Sequence, residues 1–264
     1  MIGGGWLNVV PGEITDDTQM TLAVAEGIIE GPDNPIQAIG KRFIEWARSG
    51  PKDIGGTCSM SIRWAAFLGQ NNEPDEEKWF EASKYTSEAN GGRSGGNGAL
   101  MRTVYPGLYY KELLMAVETA GAIAQMTHWD KKSTEACNFY TEMIHLITES
   151  ISREEALQII RDVLKDSEYS LKARKQLKPT GYVVDSFNCA LHSIAATGTF
   201  EAAIIEAANL GGDADTIAAI AGGLAGVIYG YNEIPVRWIQ TLDPGIRKQL
   251  DRLVDAAVKN REDR

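Results

Sequence analysis

Two short acidic motifs stand roughly two hundred residues apart, Gly12-Glu13-Ile14-Thr15-Asp16-Asp17-Thr18 and Gly211-Gly212-Asp213-Ala214-Asp215-Thr216. Each precedes an apolar stretch of helical period, so each falls at a helix N-terminus. A single carboxylate or threonine there is an ordinary cap, which accepts from free N–H groups and interacts well with the helix dipole. Here each start carries two aspartates beside a hydroxyl, and neighbouring carboxylates repel unless a cation neutralises them. Carboxylate and hydroxyl oxygens are hard ligands, which points to Mg2+, Mn2+ or Ca2+ rather than zinc or copper. An EF-hand is excluded: with Asp213 at loop position 1, Ala218 stands where glycine is needed and Leu224 where the bidentate glutamate is needed. Asp16 fails in the same way, with Gly27 at the last position. If the two starts meet in the fold, Asp16, Asp17, Asp213 and Asp215 with Thr15 and Thr216 could hold two cations roughly 3.5–4 Å apart, the separation of binuclear hydrolytic sites. The capping reading and the metal reading both stand on these residues.

A third candidate is Gly91-Gly92-Arg93-Ser94-Gly95-Gly96-Asn97-Gly98. Its backbone N–H groups could cradle a phosphate ahead of the apolar run that follows, or the segment is only a flexible turn. It is no Walker A loop, because no Gly-Lys-Ser/Thr follows, and Met101 occupies the third-glycine position of G-x-G-x-x-G. Beyond Asp215, Gly222, Gly223 and Gly226 would let another helix approach closely. That predicts an N-terminus buried at the centre of a bundle, where an acidic cluster is costly unless compensated.

The elements that must position these residues are helices. Met20, Ala23, Val24, Gly27 and Ile28 form one apolar face, and Ile36, Ile39, Phe43, Ile44 and Ala47 the next. Ala136, Tyr140, Met143, Ile144 and Ile147 share one side of the stretch from Ser133 to Glu149, and Ser152 with Glu155 reads as a capping box. Strand signals are short, Val9-Val10 and Tyr182 to Val184. Turn-rich stretches at Gly31–Pro35, Gln70–Asp75 and Asn90–Gly98 are too short for interdomain linkers. The expected architecture is therefore all-α, a single domain over residues 1–264 with no solenoid repeat.

Composition removes several classes. With 26 Lys and Arg against 36 Asp and Glu, the net charge of −10 disfavours a phosphate backbone, and no basic stripe offsets it. No apolar run approaches the ~20 residues of a membrane span. Three scattered cysteines, Cys58, Cys137 and Cys189, argue against a disulfide framework and for a reducing, cytoplasmic setting. Glycine, 27 of 264 residues, exceeds the ~7% norm. Cys189 and His192, three apart on a helix, lack the orienting partner of a nucleophilic dyad, and His145 reads as a packed or solvated histidine. The tryptophans read as core anchors, with Trp129 close enough to His128 to reach a cleft, and the segment from Lys259 to Arg264 as a solvated end.

Taken together, Thr15-Asp16-Asp17-Thr18-Gln19-Met20, Ser94-Gly95-Gly96-Asn97-Gly98-Ala99-Leu100-Met101-Arg102, Thr127-His128, Gly181-Tyr182-Val183-Val184-Asp185 and Gly211-Gly212-Asp213-Ala214-Asp215-Thr216 resemble the ADP-ribosylglycohydrolase family, in its bacterial dinitrogenase reductase-activating branch. The motifs run in the family's order and cover most of the chain. The resemblance implies an all-α bundle with a binuclear Mg2+ or Mn2+ centre. It implies hydrolysis of the bond between ADP-ribose C1″ and an acceptor, here ADP-ribosylated arginine of a protein or a small ADP-ribose conjugate. Carried over, Thr15, Asp16, Asp17, Asp213, Asp215 and Thr216 ligate metal, and Asp16, Asp17 and Asp213 matter most to catalysis. Ser94, Gly95, Gly96, Asn97 and Gly98 contact ribose and diphosphate, and His128 and Tyr182 line the ADP-ribose cleft. The family's leading helix with Gly-Asp-Ala-x-Gly has no counterpart between Met1 and Thr15. The alternative is accordingly a shortened member that binds ADP-ribose without turnover. A monomer is expected, with no nucleic-acid or membrane partner.

Overall fold

Thirteen α-helices and three short 3-10 turns make up the regular structure of the computed structural model, which describes residues 3–5, 7–69, 73–150, 152–165 and 167–262. The first half holds α1 (Asp16–Glu30), α2 (Ile36–Arg48), α3 (Gly56–Leu68), α4 (Glu76–Ala89), α5 (Val104–Tyr109) and α6 (Leu113–Gln125). The second holds α7 (Lys131–Ile147), α8 (Arg153–Val163), α9 (Val183–Ala196), α10 (Phe200–Asn209), α11 (Ala214–Tyr229), α12 (Val236–Thr241) and α13 (Pro244–Glu262). The all-α expectation therefore holds. Both strand signals are corrected: among the described residues β pairing is limited to isolated bridges of Gly4 with Val9 and Gly96 with Tyr182. Neither pair has a third strand to extend it, and Val183 and Val184 go instead into the first turn of α9.

The predicted faces fall on α1, α2 and α7, and their apolar residues enter one core. Helix α11 is central to that core, packed against α7, α9, α10 and α1 and against the 3-10 turn Leu100–Arg102. Its glycines are not equivalent. A Cβ on Gly223 would stand 2.0 Å from the Tyr140 hydroxyl, which donates to Ile220 O at 3.0 Å, whereas Gly226 meets open space. Close approach thus needs one of the three glycines. Gly230, at φ 79°, ends the helix in the left-handed region that favours glycine.

Other expectations resolve simply. Ser152 Oγ accepts from Glu155 N at 3.1 Å, which is one half of the capping box. Trp79 is fully buried against Phe43, and Trp46, Trp64 and Trp238 lie against the core. Trp6, Gln70 to Asn72 of the turn, and the last two residues of the C-terminal run lie outside the described residues. No helix among the described residues is long and apolar enough to cross a membrane.

Candidate active site

Helices α1 and α11 pack together and bring the two acidic starts into one place. Thr15 is the N-cap of α1 and Asp213 that of α11, yet neither side chain caps its helix. Elsewhere in the chain Asp75, Asp130, Ser152 and Thr199 do cap, each accepting from the backbone N–H three residues on. The oxygens freed from capping turn to each other and to the glycine loop. Thr15 Oγ1 donates to Asp17 Oδ2 at 3.1 Å, and Asn97 Nδ2 donates to Asp213 Oδ2 at 2.6 Å. The turn before α11 is forced into this shape: Gly212 has φ +60°, and a Cβ on it would lie 1.7 Å from Pro179 O. Asp213 N donates to that same Pro179 carbonyl at 3.2 Å, which aims the carboxylate at the loop.

The carboxylates raise one another. Burial pushes Asp17 up to about 8, with Asp16 and Asp215 adding to the shift and the Thr15 and Thr216 hydroxyls opposing it. Burial, then Asp53, then Asp215 push Asp16 up to about 6. Asp213 also lies above the usual carboxylate range, raised by burial against the Asn97 hydrogen bond. Asp17 Oδ1 is buried and has no hydrogen-bond partner among the described residues. Mutual repulsion and an orphaned oxygen are what a bound cation relieves, and six oxygen-bearing side chains suit a hard one. Among the described residues, no three His, Cys, Asp and Glu side chains are arranged to hold an ion as they stand. Asp215 is exposed, which corrects the expectation of a buried α11 N-terminus: the helix opens onto solvent at its first turn and is enclosed only from Thr216 inward.

A cleft of about 260 Å3 lies in front of the cluster. Asp16, Asp213, Thr216, Gly96, Asn97, Gly98 and His128 all line it, together with Asp53, Gly55, Gly56, Thr57, Cys58, Met101 and Gly181. Thr15, Asp17 and Asp215 are not part of its wall, and neither are Ser94, Gly95 and Tyr182. Ser94 is fully buried and its Oγ has no partner. Gly95 is covered by Tyr182 and Asp130: a Cβ there would meet Tyr182 Cε2 at 3.0 Å and Asp130 Oδ1 at 3.3 Å. The loop is less free than a cradle of open N–H groups, because Asn97 N donates to Gly181 O at 3.0 Å and Val183 N donates to Gly95 O at 2.9 Å. Asn97 is instead a brace, its Nδ2 shared between Asp213 and Ser186 Oγ at 2.9 Å.

The family pattern of the ADP-ribosylglycohydrolases matches residues 1–264, the whole chain. The chain belongs to the ADP-ribosylglycohydrolase family. It is 32% identical over 270 residues to the ADP-ribosyl-[dinitrogen reductase] glycohydrolase of Rhodospirillum rubrum, covering 97% of this chain and 82% of that protein. It is 29% identical to the ADP-ribosylarginine hydrolase Tri1 of Serratia proteamaculans, with coverage of 92% and 66%. An ADP-ribosylglycohydrolase-related protein complex among solved structures superposes with a TM-score of 0.79 at 26% identity, covering 99% of this chain and 86% of that one. ADP-ribosylglycohydrolases hydrolyse glycosidic bonds to ADP-ribose, so this chain is an enzyme of that class. The two unused caps set aside the reading of these acids as caps alone.

Asp53 was not singled out from the sequence. It stands two residues before Gly55, the N-cap of α3, and burial with Asp215 raises its carboxyl. The readable signal was a third acid just ahead of a helix start, weaker than the others for lacking a second carboxylate. In this glycohydrolase Glu13 does not join the cluster: it pairs with Lys52 at 2.7 Å, which holds it below its ordinary value. Cys189 is buried with Sγ toward Lys178 O at 3.6 Å, and His192 Nδ1 contacts Lys172 O at 2.8 Å, so no dyad forms. His145 is buried, and its Nδ1 has no partner. Trp129 packs on Phe80 and under Lys84 rather than in the cleft wall.

Proposed function

We propose that this glycohydrolase is metal-dependent and releases ADP-ribose from ADP-ribosylated arginine side chains. The observation that carries the reading is the meeting of two uncapped acidic helix starts at one cleft, with His128 and the Gly96–Gly98 loop opposite. Thr15, Asp16, Asp17, Asp213, Asp215 and Thr216 would hold two Mg2+ or Mn2+ ions, and the orphaned Asp17 Oδ1 supports this donor set. Bound there, the cations would anchor ribose hydroxyls and lower the pKa of water.

The remaining chemistry belongs to the chain. Cleavage at C1″ passes through an oxocarbenium-like state, so negative charge in front of C1″ lowers the barrier. Asp16 and Asp53 supply it from the cleft wall, where neighbouring backbone N–H groups donate to their carboxylates. Asp53, which is outside the set that would hold the cations, is therefore the one free to take the proton of the attacking water. Asp17 is buried and Asp213 is braced by Asn97, which suits holding rather than proton transfer. The guanidine that leaves takes up the proton lost by the water and departs as a cation, which suits exposed Asp215 and half-buried Asp53 nearby, a match that a neutral serine leaving group would not exploit. Two relatives that act on ADP-ribosylarginine by name, from Serratia proteamaculans and Pseudomonas putida, add weight.

The test is release of ADP-ribose from ADP-ribosylated arginine and from ADP-ribosylated serine, with Mn2+ and with EDTA. Release from arginine that EDTA abolishes, and that falls at least about a hundredfold in Asp16→Ala and Asp213→Ala, is expected. Full turnover in EDTA or in either variant overturns the metal assignment. Preference for serine overturns the acceptor, and ADP-ribose binding without release leaves the alternative of an inactive member.

A further inference from the structure

Beneath the cleft lies a charge with no counter-charge. Arg102 is fully buried and, among the described residues, forms no ion pair; the ionisable groups around it are the thiols of Cys58 and Cys137 and the His128 imidazole. An enclosed guanidinium without a carboxylate is among the costliest arrangements a fold can keep. Its bonds are few and directed. Nη2 donates to Ile123 O at 2.9 Å and to Thr127 Oγ1 at 2.7 Å, Nη1 meets Met20 Sδ and Cys58 Sγ at 3.7 Å each, and Nε has no partner. The guanidinium carbon sits 4.6 Å from the Phe43 ring centroid.

The next contact leads to the cleft. Thr127 Oγ1 is 2.8 Å from His128 Nδ1. That oxygen already accepts from Arg102, and it could accept from an Nδ1–H as well only by giving its single hydrogen to Cys58 Sγ, so donation to Nδ1 is the favoured arrangement. Cys58 Sγ also lies against the hydroxyl, but thiol sulfur is the weaker acceptor. The ring proton is thereby assigned to Nε2, the nitrogen that faces the loop: a Cβ on Gly96 would lie 3.1 Å from it, and one on Gly98 would lie 3.3 Å from Cε1. Burial first and Arg102 second push His128 down to about 3, so the ring stays neutral and cannot serve as an acid near neutral pH.

We propose that Arg102 and Thr127 are positioning residues: through one shared hydroxyl they hold His128 as the Nε2–H tautomer, which presents a fixed neutral donor to an oxygen of bound ADP-ribose beside Gly96 and Gly98. This rests on the functional reading above for its ligand, whereas the tautomer is a property of the free protein.

The experiment reads the two separately. Imidazole 15N shifts of the free protein, assigned by substituting His145 and His192 in turn, report which nitrogen of His128 carries the proton. Calorimetry with ADP-ribose and Mn2+ reports affinity. Wild type is expected to show protonated Nε2 and acceptor Nδ1. Thr127→Val, which deletes the hydroxyl at constant volume, is expected to release the tautomer and weaken ADP-ribose binding about tenfold, with KM rising more than kcat falls. Thr127→Ser is expected to restore both. Arg102→Met is expected to match Thr127→Val, and the threonine variants keep the test intact should that protein not fold. A protonated Nδ1 in wild type overturns the proposal, as does unchanged affinity in a Thr127→Val protein whose tautomer has shifted. Wild type that shows the Nε2–H form but binds no ADP-ribose overturns the functional reading and the ligand half of the proposal together.

Discussion

Asp17→Asn should make the cation-free protein less sensitive to alkali. Burial pushes Asp17 up to about 8 in the folded chain, against an ordinary aspartate value of 3.8. The folded state therefore holds a proton that the unfolded state has lost, and stability falls as pH rises through the folded value. His128 and His145 are displaced the other way, so their contribution is present above the ordinary histidine range and lost only as pH falls below it. By pH 7 that contribution is nearly complete, and between pH 7 and 9 the losses come from groups raised in the folded chain, Asp17 and the cysteine thiols, of which only Asp17 differs between wild type and variant. Integrating the linkage over that window for one group at about 8 gives a loss of about 1.4 kcal/mol. At ~2–4 °C per kcal/mol for a chain of this size, the melting temperature should drop by about 3–6 °C. The asparagine keeps the Thr15 contact and removes the titration, so its drop should be smaller by about that amount. The cysteine thiols are raised as well and steepen both curves near pH 9, but they cancel in the difference between wild type and variant. Denaturant or thermal unfolding in EDTA at pH 7, 8 and 9 measures this. Saturating Mn2+ should flatten the wild-type curve by stabilising the ionised carboxylates, and should flatten the variant less. Equal slopes for wild type and Asp17→Asn in EDTA would refute the reasoning, because Asp17 would then be no more protonated in the folded chain than in the unfolded one.

Asn97→Asp sets a carboxylate where an amide now donates to Asp213 at 2.6 Å, and both turnover and Mn2+ affinity should fall, turnover by about a hundredfold or more. Wild-type kinetics in that variant would remove Asn97 from the site. Gly212→Ala drives a Cβ to 1.7 Å from Pro179 O at a positive φ, and should cost about 3 kcal/mol or more in denaturant unfolding while displacing Asp213. An unchanged unfolding midpoint would show that the turn has room to relax.

Much of the site was legible in the sequence because its grammar is local. A doubled acid ahead of an apolar helical period identifies a helix start whose carboxylates exceed the needs of capping, and Thr15 to Asp17 and Asp213 to Thr216 say this without any knowledge of neighbours. The helices were legible for the same reason, since α1, α2 and α7 each repeat their apolar faces within a few turns. Asp53 escaped because one acid ahead of a helix is indistinguishable from a cap until Asp16 and Asp215 are seen beside it. The motifs make Ser94 and Tyr182 cleft candidates without giving their direction: in the fold Ser94 is buried and Tyr182 lies exposed over Gly95, because direction around a loop depends on what packs behind it.

The sequence by itself determined an all-α chain of the ADP-ribosylglycohydrolase family with two acidic helix starts and a glycine-rich loop. Periodicity, capping chemistry and motif order are properties of adjacent residues. Only the tertiary structure decided that α1 meets α11, that Asn97 braces Asp213 across the loop, that Asp215 faces water, and that Arg102 is buried beside Thr127 and His128 with no ion pair among the described residues. Burial and the raised carboxylates follow from distance through space, and residues roughly two hundred positions apart acquire that distance only when the core closes around α11.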